Sequence, residues 1–238
     1  MLVRTSGALL LLVPALCLGQ SQLTILHTDA PGVTVIAPGG GCKSSEPVVH
    51  HDGSWENAIA FRGDAVFEPY FGAFGEAFDL GSGQIECASF WITQDGTNTG
   101  QSSDLYVWDQ GINGPPTLVR ALVSGIVFTD IPVFPAFGRY DIAIPTAVTG
   151  PFTVGSWGAW PGERNGYYWA SDENGAGHPW TYAAAIGPNG TEGWQDPSEP
   201  FPFTITSMGI GVHFTPDNPT PTRTTSWSRV KALWRGEP

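Results

Sequence analysis

The densest group of chemically capable side chains is the stretch "HHDGSWEN" at residues 50–57, where His50, His51, Asp52 and Glu56 fall within seven residues. A zinc site needs several ligands that point toward one ion. Neighbouring residues on a strand point to opposite faces, so His50 and His51 do not readily share an ion. His-Asp-Gly is also an ordinary turn sequence. We therefore interpret the stretch as the turn into a strand, and not as a metal or catalytic site.

Catalytic carboxylates are the next possibility, because a glycosidase needs two of them facing each other across a cleft. The best candidates are Glu163, Asp172 and Glu173, which lie in an aromatic-rich region. The acidic strand pattern E-x-D-x-x-E of laminarinase-like enzymes does not occur in the sequence, and neither does G-x-S-x-G or H-E-x-x-H. We predict that the protein is not an enzyme, with a glycoside hydrolase or lyase on a β-sandwich as the alternative.

Oxygen ligands for calcium are a further possibility. Asp95, Asn98 and Asp104 cluster around one loop of the sequence. Carboxylate and amide oxygens on the loops of an exported protein suit Ca²⁺, although this spacing does not fit the EF-hand pattern. Asp and Asn are also common turn residues. A structural calcium site at these three residues is one hypothesis, and plain turn chemistry is the other.

Aromatic residues are concentrated near the middle of the chain. Eight Trp and Tyr side chains fall between residues 157 and 194. Such rings pack in cores, but their exposed faces also stack on sugar rings while nearby polar groups bond the hydroxyls. About half must be core residues in any sandwich. The predicted ligand-binding residues are Trp157, Trp160, Tyr168, Trp169, Trp180, Tyr182 and Trp194.

The elements that would position these side chains are strands. Leu105 and Val107 alternate with Tyr106 and Trp108, and the same period of two recurs in several other runs separated by Gly-, Pro- and Asn-rich turns. No part of the body carries a helical period. Because many strands need two packed sheets to bury their apolar faces, we predict an all-β fold, an antiparallel and jelly-roll-like β-sandwich.

The start of the chain predicts export. Arg4 precedes the apolar run Ala8–Leu18, which has the layout of a secretory signal peptide and is too short to span a bilayer. Removal of this segment leaves Cys42 and Cys87, which we expect to form one disulfide in an oxidising compartment, with two buried thiols as the alternative. The predicted location is therefore extracellular or at the cell surface.

The sequence divides into four parts by composition. The last part begins with a Pro/Thr linker and carries Trp227, Trp234 and a strip of basic residues that predict a short helix or an extended tail. The formal net charge of −12 argues against nucleic acid as a partner. The predicted parts are a signal peptide at 1–19, an N-terminal leader at 20–47, a β-sandwich domain at 48–215, and the linker and tail at 216–238.

The segments "HHDGSWENAIAF", "FWITQDGTNTGQSSDLYVWDQGINGPPTLV", "GPFTVGSW" and "TSWSRVKALWR" resemble uncharacterised jelly-roll-like β-sandwich modules of secreted bacterial proteins. The similarity covers about residues 48–235. It implies a non-catalytic sandwich in an envelope or extracellular setting, and it carries no site residues.

Two further classes of function fit these observations beside the enzyme alternative. One is an extracellular module that binds a glycan or another surface ligand, such as an extracellular protein, and this is the class we favour. The other is a structural or adhesive subunit that assembles at the cell surface through its leader or its tail. No cofactor is expected apart from the possible Ca²⁺, and no transmembrane segment is expected.

Overall fold

The computed structural model describes residues 23–27, 32–36, 42, 46–61, 71–96, 102–159, 167–183, 193–197 and 204–217. Within these ranges the chain is all-β and contains fifteen strands, which confirms the prediction of an all-β fold. No helix in the described ranges is long and apolar enough to cross a membrane. The predicted signal peptide and the predicted C-terminal helix lie outside the described residues.

The strands fall into two sheets, and their bounds are as follows. The first eight are β1 (Leu23–His27), β2 (Val33–Ile36), β3 (Val48–Val49), β4 (Asn57–Phe61), β5 (Phe71–Phe78), β6 (Ser82–Thr93), β7 (Ser102–Asp109) and β8 (Val119–Val127). The other seven are β9 (Ala136–Thr149), β10 (Phe152–Ala159), β11 (Tyr168–Asp172), β12 (Pro179–Ala183), β13 (Gly193–Gln195), β14 (Ser207–Met208) and β15 (Ile210–Pro216).

The large sheet has the strand order β1-β4-β11-β6-β15-β3, with β9 also paired to β6, β2 to β9 and β14 to β11. The small sheet has the order β13-β12-β5-β10-β7-β8. All pairings between named strands are antiparallel except that of β2 with β9. Two packed antiparallel sheets make this fold a β-sandwich.

The main core lies between the two sheets. Phe74 and Val154 from the small sheet face Phe90 and Ile210 from the large sheet, and all four side chains are fully buried. Residues two apart on a strand share a face, so the alternation seen in the sequence directs every second side chain into this core. Trp169 of β11 is also fully buried here.

A second core covers the outer face of the large sheet. Trp55, Trp91, Phe137 and Tyr168 pack together there, and the segment at residues 46–56 contributes to the cover. The guanidinium of Arg139 lies 5.5 Å above the Trp91 ring. Both faces of the large sheet are therefore buried around β4, β11 and the second half of β6, whereas Pro145, Ala147 and Thr149 of β9 are exposed.

The leader packs on its own body. β1 pairs with β4 and β2 pairs with β9, so both leader strands are part of the large sheet. Cys42 forms the predicted disulfide with Cys87 in the middle of β6, with the two Cα atoms 5.8 Å apart. The bridge fixes the end of the leader against the outer face of the large sheet.

β8 is an edge strand with an irregular register. Within the described residues it pairs only with β7, and the register shifts at two places, between Ser103 and Leu105 and between Val107 and Trp108 of its partner. Such shifts are β-bulges, which bend and twist a strand. They leave Val119 and Leu122 on the outer face of the small sheet, where the side chains are 54% and 48% exposed.

The disulfide should be a main contribution to stability. Replacing Cys42 and Cys87 by Ser opens a loop of 45 residues, and the chain-entropy model gives a loss of about 4 kcal/mol in the free energy of unfolding. The measurement is chemical denaturation of the double variant beside the oxidised parent. The reduced parent is the control, and an unchanged midpoint in both would contradict this role of the bridge.

Candidate functional site

Five rings on the outer face of the small sheet form a closed circuit of contacts, which we call the aromatic cluster. β7 supplies two of them, and β10, β12 and β13 supply one each. The centroid distances are 5.0 Å for Tyr106–Trp108, 5.0 Å for Trp108–Trp194, 5.3 Å for Trp194–Tyr182, 4.6 Å for Tyr182–Trp157 and 6.3 Å for Trp157–Tyr106.

Small residues in the sheet make room for the aromatic cluster. Gly155 of β10 pairs with Gly75 on one side and with Tyr106 on the other, so two glycines lie side by side on the face that carries the rings. A Cβ on Gly155 would lie 2.8 Å from the Gly75 Cα and closer still to the Phe74 carbonyl oxygen. Only glycine fits at that position. The sheet therefore carries no side chain at Gly75 and Gly155, beside the rings of the aromatic cluster.

The rings do not form one plane. Tyr106 and Trp108 are stacked with 8° between their planes, but the other contacts of the cluster have angles between 39° and 79°. Trp108 is only 4% exposed, whereas the other four rings are half-buried. Inclined and partly exposed rings suit contact with a single ligand chain better than contact with a flat surface.

Charged groups adjoin the aromatic cluster on β7. Asp104 pairs with Trp157 in the sheet register, and its carboxylate accepts a hydrogen bond of 2.8 Å from the Gly125 amide. Burial raises the pKa of the Tyr106 hydroxyl, and the nearby Asp104 charge raises it further. Tyr106 therefore stays a neutral hydrogen-bonding group over the physiological pH range.

A cleft of about 500 Å³ lies at the end of the sandwich next to the aromatic cluster. Its polar side chains are His178, Asp196, Thr204 and Thr206, and its wall includes the Trp180 indole. The indole N–H of Trp180 donates a hydrogen bond of 2.7 Å to the Gly111 carbonyl oxygen. The other lining residues are Gly111, Ile112, Gly114, Gly175, Gly177, Pro179 and Ile205.

The structure brings four of the predicted ligand-binding residues to this side of the molecule. Trp157, Tyr182 and Trp194 belong to the aromatic cluster, and Trp180 lines the cleft. Trp160 lies outside the described residues. The prediction did not include Tyr106 and Trp108, although their period-two spacing in "DLYVWD" could have indicated a shared face.

Two of the predicted ligand-binding residues, Trp169 and Tyr168, are buried in the structure. Trp169 is fully buried between the two sheets, where it contacts Phe74 and Phe90. Tyr168 is 5% exposed and lies in the second core, and its hydroxyl donates to Asp95. Both faces of the large sheet are covered around β11, so neither side of β11 presents a ring to a ligand.

Two of the proposed calcium ligands, Asp95 and Asp104, lie next to or on strands of different sheets. Asp95 follows β6 of the large sheet and accepts the Tyr168 hydroxyl, whereas Asp104 is on β7 of the small sheet. Asn98 lies outside the described residues, so the calcium hypothesis stays a prediction. In the described ranges the one group of His, Cys, Asp and Glu with metal-ligand spacing contains Cys42, whose sulfur is already bonded to Cys87.

The stretch at residues 50–57 belongs to a network around a buried carboxylate. Glu76 of β5 is fully buried, and His50 Nδ1 lies 2.9 Å from its Oε1. The backbone amides of His178 and Met208 also donate to this carboxylate, at 2.7 Å and 2.8 Å. Burial raises the pKa of Glu76, and these three hydrogen bonds oppose that rise. Glu76 thereby holds the cleft-lining loop at 175–178 in place.

Asp172 has a similar role at the same end of the sandwich. Its carboxylate accepts the backbone amides of Asp52 and Asn174 at 2.8 Å and 2.6 Å. Burial raises the pKa of Asp172. Glu173 accepts a hydrogen bond from the Asn57 side chain at 2.8 Å. The carboxylates considered for catalysis at 172 and 173 thus bond the turn at residues 50–57.

His51 is enclosed by aromatic rings. Its ring centroid lies 4.3 Å from Trp55 and 4.7 Å from Trp91. Neither ring nitrogen is exposed, and neither has a hydrogen-bond partner within the described part of the chain. Burial lowers the pKa of His51 to about 4, with the nearby Asp52 charge acting in the opposite direction.

A serine, a histidine and an aspartate meet on β6, β9 and β15, but not in the arrangement of a catalytic triad. The Ser89 hydroxyl donates to Asp141 at 2.5 Å and lies 3.1 Å from His213 Nε2. In a triad the histidine lies between serine and aspartate and accepts the serine proton. Here the aspartate accepts that proton, and Ser89 and His213 are buried. The three side chains thus link β6, β9 and β15 by hydrogen bonds.

Comparisons of the chain with protein-family models, with curated proteins and with solved structures find no match. The class of protein that the fold and the site define is therefore a disulfide-bonded β-sandwich with an aromatic face on its small sheet.

Removal of the buried carboxyl group of Glu76 should destabilise the fold. Glu76→Gln places an amide NH₂ group against hydrogen-bond donors, and we expect it to lower the free energy of unfolding by about 3 kcal/mol. The matched control is Glu86→Gln, because Glu86 accepts a 3.2 Å bond from Thr215 at an exposed site. Chemical denaturation measures both, and equal effects of the two variants would contradict the role given to Glu76.

His51 should make the fold sensitive to acid. Between pH 6.5 and about 4 the folded state binds fewer protons at His51 than the unfolded state, so stability falls as the pH falls through this range. We expect His51→Phe to remove about 2 kcal/mol of the difference in unfolding free energy between pH 7 and pH 4.5. Denaturation at both pH values tests this, and an equal difference in parent and variant would refute it.

Proposed function

We propose that the protein is a non-catalytic extracellular binding module that recognises a glycan through the aromatic cluster. The observation that carries the proposal is the closed circuit of five rings on the outer face of the small sheet. Partly exposed Trp and Tyr rings combine an apolar face with a hydrogen-bonding edge. Sugar rings present the matching combination of C–H groups and hydroxyls.

The position of the aromatic cluster supports this proposal. Four of its rings are half-buried, so each is held by packing and still reaches solvent. The rings come from four different strands, and a rigid sheet is a better support for a binding site than a loop. Inclined ring planes favour a soluble glycan chain over a crystalline polysaccharide surface.

Charge indicates the class of glycan. Asp104 lies beside the aromatic cluster, Asp196 lines the neighbouring cleft, and the chain carries a formal net charge of −12. A polyanionic glycan would be repelled by this surface. We therefore propose neutral or amino-sugar chains as the ligands.

The extracellular setting rests on two observations. The first nineteen residues have the layout of a signal peptide, and Cys42 and Cys87 form a disulfide, which persists in oxidising compartments. The resemblance to modules of secreted bacterial proteins agrees with this setting.

Calorimetric titration tests the proposed function. The ligands are soluble oligosaccharides of glucose, xylose, mannose and N-acetylglucosamine, with polygalacturonate as the acidic comparison. We expect one neutral or amino-sugar series to bind. Each of Trp157→Ala, Tyr182→Ala and Trp194→Ala should lower the affinity for that series at least tenfold, because each removes a stacking ring. Thermal unfolding checks that each variant is folded.

Phe134→Ala is the matched control, because Phe134 is a half-buried aromatic residue of the second core on the other side of the molecule. It should leave the affinity unchanged. Binding of no oligosaccharide by the folded parent would refute the glycan proposal. Light scattering of the same samples measures self-association, which in that case would favour the assembly subunit.

A specific observation favours that second candidate. Leu118, Val119, Leu122 and Val127 are between 48% and 70% exposed, and all lie on or next to the edge strand β8. Neighbouring apolar side chains on a surface are typical of sites that contact another protein.

A further inference from the structure

We propose that the cleft is a second subsite for the same glycan chain, so that one oligosaccharide spans the cleft and the aromatic cluster. This inference rests on the proposed function and adds a site, a path for the ligand and a minimum length for it. It is carried by the position of the cleft, by its side chains and by the hydrogen bonds that hold its walls.

The cleft and the aromatic cluster are joined along three chain segments. Trp180 of the cleft is two residues from Tyr182 on β12, and both side chains point to the same side of the strand. Asp196 of the cleft is two residues beyond Trp194. Gly111 follows Trp108 by three residues. Two residues of strand span about 7 Å, so a ligand of more than one sugar ring reaches both places.

The loop that carries Gly111 folds back onto the face that bears the aromatic cluster. A Cβ on Gly111 would lie 2.6 Å from the Ala77 Cβ and would overlap the Thr153 hydroxyl. That hydroxyl donates to the Gln110 carbonyl oxygen at 2.8 Å, and the Trp180 indole N–H donates to the Gly111 carbonyl oxygen. The wall between the cleft and the cluster is therefore fixed by hydrogen bonds from both sides.

The side chains of the cleft match a sugar ring. Trp180 supplies an aromatic surface, while Asp196, His178 and Thr204 supply a carboxylate, an imidazole and a hydroxyl that are all exposed. A cleft of about 500 Å³ is within the usual size range of small-molecule sites. A few polar groups beside one aromatic ring provide the hydrogen bonds and the apolar contact that a polyhydroxylated ring requires.

The floor of the cleft is held in place by hydrogen bonds within the protein. The Gly177 amide donates to the Thr206 carbonyl oxygen at 3.0 Å, and the His178 amide donates to the buried Glu76. A Cβ on Gly177 would overlap Glu76 Oε1, so the loop lies directly on this carboxylate. A fixed floor lowers the ordering cost of binding.

Gly114 gives a direct test, because it lines the cleft and a Cβ there would meet no atom within 4 Å. Its backbone is outside the left-handed region, so Gly114→Phe should fold normally and place a ring in the cleft. Val133→Phe is the matched control, since Val133 is 55% exposed and bridges to Gln94, the residue that follows β6.

The experiment is calorimetric titration with the oligosaccharide series that binds the parent, from the disaccharide to the hexasaccharide. We expect the affinity of the parent to rise with the length of the oligosaccharide. Gly114→Phe should lower the affinity for the hexasaccharide at least tenfold and the affinity for the disaccharide little. Val133→Phe should behave as the parent. Asp196→Asn and Thr204→Ala are both at exposed positions. Each should lower the affinity for the hexasaccharide about threefold by the loss of one hydrogen bond.

The outcomes separate the inference from the proposed function. If glycans bind the parent and depend on Trp157, but folded Gly114→Phe binds the hexasaccharide as tightly as the parent, the second subsite is refuted and the glycan module stands. If the parent affinity does not rise with length, the spanning ligand is refuted in the same way. If no oligosaccharide binds the folded parent, both proposals fail together.

Discussion

Burial of both faces of the large sheet around β4, β11 and the second half of β6 is the constraint on which the rest of the structure depends. One face packs against the small sheet, and the other is covered by the second core around Trp55 and Trp91 and by the leader that Cys42 fixes to β6. Within the part of the chain that the structure describes, the outer face of the small sheet is covered only in part, by the loop that carries Gly111. This outer face must be compatible with water and yet carries five aromatic rings. This difference between the sheets decides which surface is open to a ligand.

The period of two in the sequence predicts strands in several runs, such as residues 105–109, and with them the two packed sheets. It could not predict which set of alternate residues faces outward. In β7 the inward pair is Leu105 and Val107, and the outward pair Tyr106 and Trp108 consists of large rings that are also common in cores. In β11 both sets are buried, because residues distant in the sequence cover the second face. Proximity in the sequence therefore grouped Trp169 with Trp157, although they lie on different sheets.

The hydrogen-bond network around Glu76 could not be predicted from the sequence, for a different reason. Its hydrogen-bond partners are 26, 102 and 132 residues away along the chain. A single glutamate in the apolar strand "FGAFGEAF" indicates that the carboxyl group needs hydrogen-bond donors in the interior, but it does not indicate which groups donate. A buried carboxylate needs its donors in place at once, so the loops that meet it depend on one another. The cleft is built from those same loops.

The two bulges of β8 have a consequence for the behaviour of the protein at high concentration. A straight edge strand with apolar side chains would offer its free amides and carbonyls to the edge of another molecule and begin an intermolecular sheet. The register shifts opposite Ser103 and Val107 interrupt that row of backbone groups, and Gly125 has a φ of 70° that no regular strand adopts. The edge can thus keep Val119 and Leu122 exposed with little risk of fibril-like stacking. Any association there would rest on side chains such as those of Val119 and Leu122.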